Sequence, residues 1–183
     1  MSENIVIEII KSDPRRIKIL EAVRSLNLPD WVIGAGFVRN PVWDHLHNYE
    51  NETPSTDIDI AYFDPVNKDE EIEKEYETRL KEMIPAEWSV TNQARMAGYN
   101  NHTEDYISTE DALAHWPETA TAIGVTMLDN GDLKLVAPYG LEDLINLKLR
   151  MCPKFGDQRE GFLKRVEKKR WLEKWSKLEL IDE

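Results

Sequence analysis

The sequence predicts an α/β (α+β) fold with a mixed sheet, on three observations. The segment Asp57–Phe63, "DIDIAYF", alternates polar and apolar residues with the period of two that a half-buried strand requires. "LDNGD", around Asn130 and Gly131, lies between two β-rich runs and carries the strongest short signal for a hairpin turn. Between such runs stand segments with helix caps and helical apolar spacing, in irregular alternation with the strands.

In chain order, Asp13 followed by Pro14 opens a helix. Asp satisfies orphan amides and Pro is tolerated in the first turn, and Ile17, Leu20 and Val23 then share one side, to about Asn27. "WVIG" from Trp31 reads as a short buried strand ended by Gly34 and Gly36. "FVRNPVWDHLHN" reads as a short helical or irregular segment interrupted at Pro41. After the strand at 57–63, residues 67–82 space Glu and Lys as on a solvated helix face, and "EWSVTNQ" is a third strand. Ser108 and Asp111 form a capping-box-like start to a helix that ends before Pro117. The hairpin follows, and "GLEDLINLKLRM" and 157–178 read as helices, giving a helical C-terminal segment over about 140–178.

Length and composition bound the function. The 183 residues suffice for one domain, and no repeat or Pro/Gly/Ser-rich linker divides 1–183. There is no run of 18 apolar residues and the first residues lack the features of a secretory signal, so a cytoplasmic protein without a membrane partner is expected. Cys152 is the sole cysteine, which excludes an internal disulfide and a cysteine-based zinc cluster. His102 and His115 lack metal-ligand spacing and read as ordinary polar residues. The net charge of −12 argues against a nucleic-acid footprint over the whole surface. It is unevenly spread: Lys164–Lys177 holds seven basic residues against two acids, with Trp171 and Trp175 placed to pack on the body.

Two carboxylates at i and i+2 of a strand point the same way about 7 Å apart and repel. Asp57 and Asp59 are such a pair. A hard divalent cation between them makes the arrangement favourable, because Mg²⁺ takes oxygen ligands from one or two carboxylates and substrate phosphates. A solvated acidic edge strand accounts for the same pair. Upstream, in "IGAGFVRN", Gly34 and Gly36 let a backbone approach phosphate oxygens and Arg39 can add a guanidinium, although a tight turn before a helix needs the same glycines. Asn92 and Arg95, after the third strand, could touch a base or phosphate, or simply close the sheet end.

"AGFVRN" followed by "DIDIA" resembles the glycine motif and metal-binding aspartates of the DNA polymerase β nucleotidyltransferase superfamily, and is similar to segments of tRNA CCA-adding enzymes. The wider pattern, with "NQARM", "STEDALAHWPETATAIGV" and "APYGLEDLINLKLR", resembles a family of small bacterial nucleotidyltransferase-like proteins from about Trp31 to Trp175. The resemblance implies a nucleotidyltransferase fold: a small mixed sheet flanked by helices. It implies Mg²⁺ on Asp57 and Asp59 as catalytic and metal-binding residues, and a nucleoside triphosphate near Gly34, Gly36, Arg39 and Arg95. The acceptor is a hydroxyl or amine of unspecified identity, and nucleic acid is not the favoured one. Two positions depart from the motif, Ala35 for a glycine and Asn40 for an aspartate, and only Glu87 offers a third acid near the third strand. A catalytically degenerate nucleotide-binding or partner-binding protein of the same fold is therefore the alternative.

Overall fold

The computed structural model describes residues 3–96, 98 and 104–181. Helix α1 spans Glu3–Lys11 and α2 Pro14–Arg24; the Asp13 carboxylate accepts the amide of Arg15 at 2.9 Å, the cap anticipated from the sequence. Strand β1 is Val32–Ile33, and α3, Gly36–His47, follows almost at once. Then come β2 (Ile58–Tyr62), α4 (Glu70–Met83), β3 (Trp88–Asn92), α5 (Thr109–Leu113), β4 (Gly124–Met127) and β5 (Leu133–Val136). The remainder is α6 (Glu142–Ile145), β6 (Lys148–Arg150), α7 (Arg159–Lys169), α8 (Trp171–Lys174) and β7 (Glu179–Ile181). No helix among the described residues is long and apolar enough to cross a membrane. His102 lies outside the described residues.

Five strands form one mixed sheet in the order β3, β2, β1, β4, β5, with β2 and β3 parallel and the other neighbours antiparallel. Period-two alternation divides its faces. Ile33 and Ile60 enter the main core with Leu20, Val38, Trp43 and Leu144, whereas Val32 and Ala61 meet Leu113 in a smaller cluster on the opposite face. Asp57 and Asp59 are in phase with Ala61, on the side opposite Ile58 and Ile60, as their spacing predicts.

The edge strand β3 is closed by helix α4. Glu77 accepts the amide of Val90 at 2.9 Å and Glu73 that of Asn92 at 2.8 Å, so two carboxylates one turn apart take the place of a neighbouring strand. The acidic helix is thus not only a solvated face: Glu73 is buried.

Three local readings differ from the sequence expectation. Pro41 does not interrupt α3, which runs for 12 residues. The helix is buried on nearly every side, with Val38, Val42 and Trp43 fully inaccessible, and this packing outweighs the loss of one backbone hydrogen bond. "LINLKLRM" leaves the helical path at Leu147, whose φ is +58°, and its next three residues pair in parallel with β7. Tertiary pairing there overrides an apolar spacing compatible with either structure. The last helix breaks at Arg170, φ +53°, into α7 and α8.

Ala35 caps α3 with φ +52° and ψ −124°, a conformation natural to glycine and strained by roughly 1–3 kcal/mol for other residues. The residue that departs from the glycine motif keeps the glycine backbone. Ala35→Gly is therefore expected to raise stability by about 1 kcal/mol, less than the full strain because glycine also loosens the unfolded chain. Chemical denaturation of the two proteins checks this, and a destabilised variant contradicts it.

Candidate active site

The site begins where β1 meets β2. The Gly34 amide donates to the Asp59 carbonyl at 2.9 Å, which sets the glycine turn beside the paired aspartates. A Cβ at position 36 would lie 2.7 Å from Ser55 Oγ, and Ser55 Oγ donates to the Asp57 carbonyl at 2.8 Å. Gly36 thus admits the loop that delivers Asp57. A Cβ at Gly34 would lie 3.0 Å from the Trp116 ring. Both glycines have an internal packing reason in addition to any approach by a ligand.

Ala35, Gly36, Asp57 and Asp59 line one side of a cleft, and Arg165, Lys169 and Trp171 also line it. The positive end of the α3 dipole opens here, with no side chain capping it, which favours an anion. Thr56 Oγ1 donates to Asp57 Oδ1 at 2.8 Å. The Asp59 carboxylate accepts no hydrogen bond from a described residue. Burial, and next the Asp57 charge, push its carboxyl up to about 6, against the opposing pull of Arg39, Lys169 and Arg165. Two adjacent carboxylates of which one is unpartnered and disfavoured as an anion form a donor set that suits a hard divalent cation. Among the described residues no three His, Cys, Asp or Glu side chains gather at one point. Glu87 is not brought to the cleft: its carboxylate lies 3.7 Å from Lys81, beside Trp88 and helix α4.

Arg39 lines the cleft from a buried position. One terminal nitrogen donates to Thr121 Oγ1 at 2.9 Å and the other to Asn40 Oδ1 at 3.0 Å, while the guanidinium carbon sits 4.5 Å from the Trp171 ring centroid and 5.2 Å from that of Trp43. Burial pulls its pKa down to about 10, opposed by Glu118, so it stays charged at neutral pH. Asn40 occupies its place as an amide because it accepts from Arg39 and donates to the Thr53 carbonyl at 3.5 Å; an aspartate could not donate. Arg95 is not brought to the cleft. It forms a two-point pair with Glu73, both contacts 2.6 Å, past the end of β3 opposite to that which faces Asp59. The Asn92 side chain is likewise engaged, bonding the Asp64 and Ala94 amides and the Asp64 and Asn67 carbonyls.

The basic C-terminal run resolves by helical spacing. Arg165 and Lys169, four apart, reach the cleft; Lys164 pairs with Glu160 and Arg170 with Glu173 at the surface. Trp171 and Trp175 are buried as expected. The sequence reading missed Asp44, which joins α3, the loop to Asp57 and Trp175, and Glu118, which holds Arg165.

A family model described as nucleotidyltransferase matches residues 21–180. No curated protein matches the chain significantly. Among solved structures, an NMR structure described as revealing a CCA-adding enzyme head domain is 34% identical, with a TM-score of 0.87 over 100% of this chain and 97% of that one. An apo CCA-adding enzyme is 15% identical, with a TM-score of 0.58 over 95% of this chain and 44% of its own. The Thermotoga maritima CCA-adding enzyme complexed with tRNA(CCA) is 16% identical, with a TM-score of 0.55 over 92% and 40%. These last two share the fold, and this chain spans less than half their length.

The raised carboxyl of Asp59 has a consequence for stability. Its folded pKa of about 6 exceeds the ordinary 3.8, so between these values the folded state binds more protons and stability falls as pH rises. Without divalent metal, Asp59→Asn is expected to be more stable than the natural protein at pH 7, by about 3 kcal/mol, with most of the difference gone near pH 4. Urea denaturation at the two pH values checks the sign; equal stabilities at pH 7 contradict it.

Proposed function

The chain belongs to the nucleotidyltransferase family, and from that premise we propose that it transfers a nucleoside monophosphate from a nucleoside triphosphate to a hydroxyl or amine acceptor. The observation that carries this reading is the polarity of the cleft: Asp57 and Asp59 line it together with Arg165, Lys169 and the uncapped start of α3. Asp57 and Asp59 would hold Mg²⁺, which supplies charge neutralisation on the triphosphate and a more acidic acceptor hydroxyl. Arg165 and Lys169 would bind the β- and γ-phosphates, the leaving pyrophosphate. Buried Arg39 supplies a fixed positive charge that favours ionised Asp59. The acceptor oxygen or nitrogen then bonds the α-phosphorus, the bond to the bridging oxygen breaks, pyrophosphate leaves, and the acceptor proton passes to solvent.

Incubation with labelled triphosphates, Mg²⁺ and a panel of acceptors tests the proposal through pyrophosphate release and label transfer. The panel includes a short RNA, because one structure of the same fold holds tRNA. Binding without release of pyrophosphate on any acceptor favours the degenerate alternative.

Two outcomes are expected from calorimetry with MgATP. Asp57→Asn and Asp59→Asn each remove most metal-dependent binding, because carboxylates sharing one cation act as a unit. Lys169→Glu weakens binding at least tenfold and flattens its salt dependence, whereas Lys164→Glu leaves both unchanged. Equal behaviour of the two lysine variants contradicts the assignment of the phosphates to this wall.

A further inference from the structure

A carboxylate wholly withdrawn from water is costly unless paired, and Glu118 is 0% exposed, the most buried acid described. Its backbone is fixed on both sides. The Glu118 carbonyl accepts the amides of Thr121 and Ala122 at 2.9 and 2.8 Å, and neighbouring Pro117 and Thr119 bond Cys152 and Arg150 at 3.0 Å each. From this anchored position Glu118 Oε1 accepts Arg165 Nε at 2.6 Å.

The mode of pairing is unlike that of Arg95 and Arg170. Arg95 gives Nε and a terminal nitrogen to Glu73, and Arg170 gives the same two to Glu173, which closes the guanidinium fork. Arg165 gives Nε alone, and its two terminal nitrogens bond no described residue. Its guanidinium carbon lies 5.5 Å from the Trp171 ring centroid, and the residue lines the cleft that holds Asp57 and Asp59. An arginine steadied at Nε, flanked by an aromatic ring and free at both terminal nitrogens presents two parallel donors, the geometry that phosphate oxygens accept.

We infer that Glu118 is a positioning residue: it holds Arg165 so that both terminal nitrogens address the phosphates of the nucleotide. This rests on the triphosphate reading given above. A purely structural pair, anchoring α7 to the body, would change stability and leave the affinity of the folded protein alone.

Calorimetric titration of MgATP into the natural protein, Glu118→Gln, Arg165→Lys and the double variant separates these roles, with circular dichroism confirming the fold of each. Glu118→Gln and Arg165→Lys are each expected to weaken binding about tenfold, and the double variant to bind no more weakly than Arg165→Lys alone. Natural-protein affinity in Glu118→Gln, or multiplied losses in the double variant, overturns the positioning role while the proposed function stands. If Glu118→Gln does not fold, Arg165→Lys decides, since undiminished affinity there removes the need for the fork. No MgATP binding by the natural protein overturns the proposed function and this inference with it.

Discussion

The Asp44 carboxylate is the joint on which the site is assembled. It is buried on α3 and accepts three donors at 2.7 Å: the amide and hydroxyl of Thr53 and the indole nitrogen of Trp175. Those donors come from the loop that leads to Asp57 and from the C-terminal segment that follows Arg165 and Lys169. One side chain therefore ties both segments to the helix whose N-terminus opens into the cleft. Losing any one of these donors would leave the buried carboxylate short of a partner at a desolvation cost, which couples the three contacts. The end of the helix and the residues just past it grip the tail further along: His47 Nε2 accepts the Lys177 amide at 3.0 Å, and the Tyr49 hydroxyl, two residues beyond the helix, donates to the Lys174 carbonyl at 2.7 Å.

Around this joint the molecule stores charge where water cannot screen it. Arg39 and Glu118 are both buried, of opposite sign, and linked through a short turn in which Thr121 bonds Arg39 by its hydroxyl and Glu118 by its amide. Trp171 lies within cation–π distance of two guanidinia, at 4.5 Å from Arg39 and 5.5 Å from Arg165. Two like charges thus sit near one ring. Asp59 gains partial compensation from these fixed cations, but burial and the neighbouring Asp57 charge outweigh it and leave Asp59 disfavoured as an anion. Stability is given up at the position proposed to hold a cation, whose charge would restore it.

Much of this architecture is legible from neighbours in the chain. The alternation of Asp57 to Tyr62, the cap at Asp13 and the turn at Gly131 depend on residues a few positions apart, and the structure keeps all three. What the sequence conceals is long-range. Asp44 meets Trp175 across 131 positions and Glu118 meets Arg165 across 47, and no local pattern marks either acid. The strand at Lys148–Arg150 exists because Glu179–Ile181 lies beside it, which no spacing within "NLKLRM" could announce. The basic run is an intermediate case. Its sequence shows an excess of cations, but the separation of Arg165 and Lys169 from Lys164 and Arg170 needed the orientation of the helix and the break at Arg170.

Helix α4 has a bearing on association between molecules. An unpaired outer strand is normally a template onto which a second chain can add, and the hazard grows with its β-branched and aromatic content. On β3 the outward amides of Val90 and Asn92 already bond Glu77 and Glu73, and the carboxylates that hold them would repel the carbonyl row of an incoming strand. Sheet extension, domain exchange and fibril-like stacking are therefore closed on this side by two glutamates.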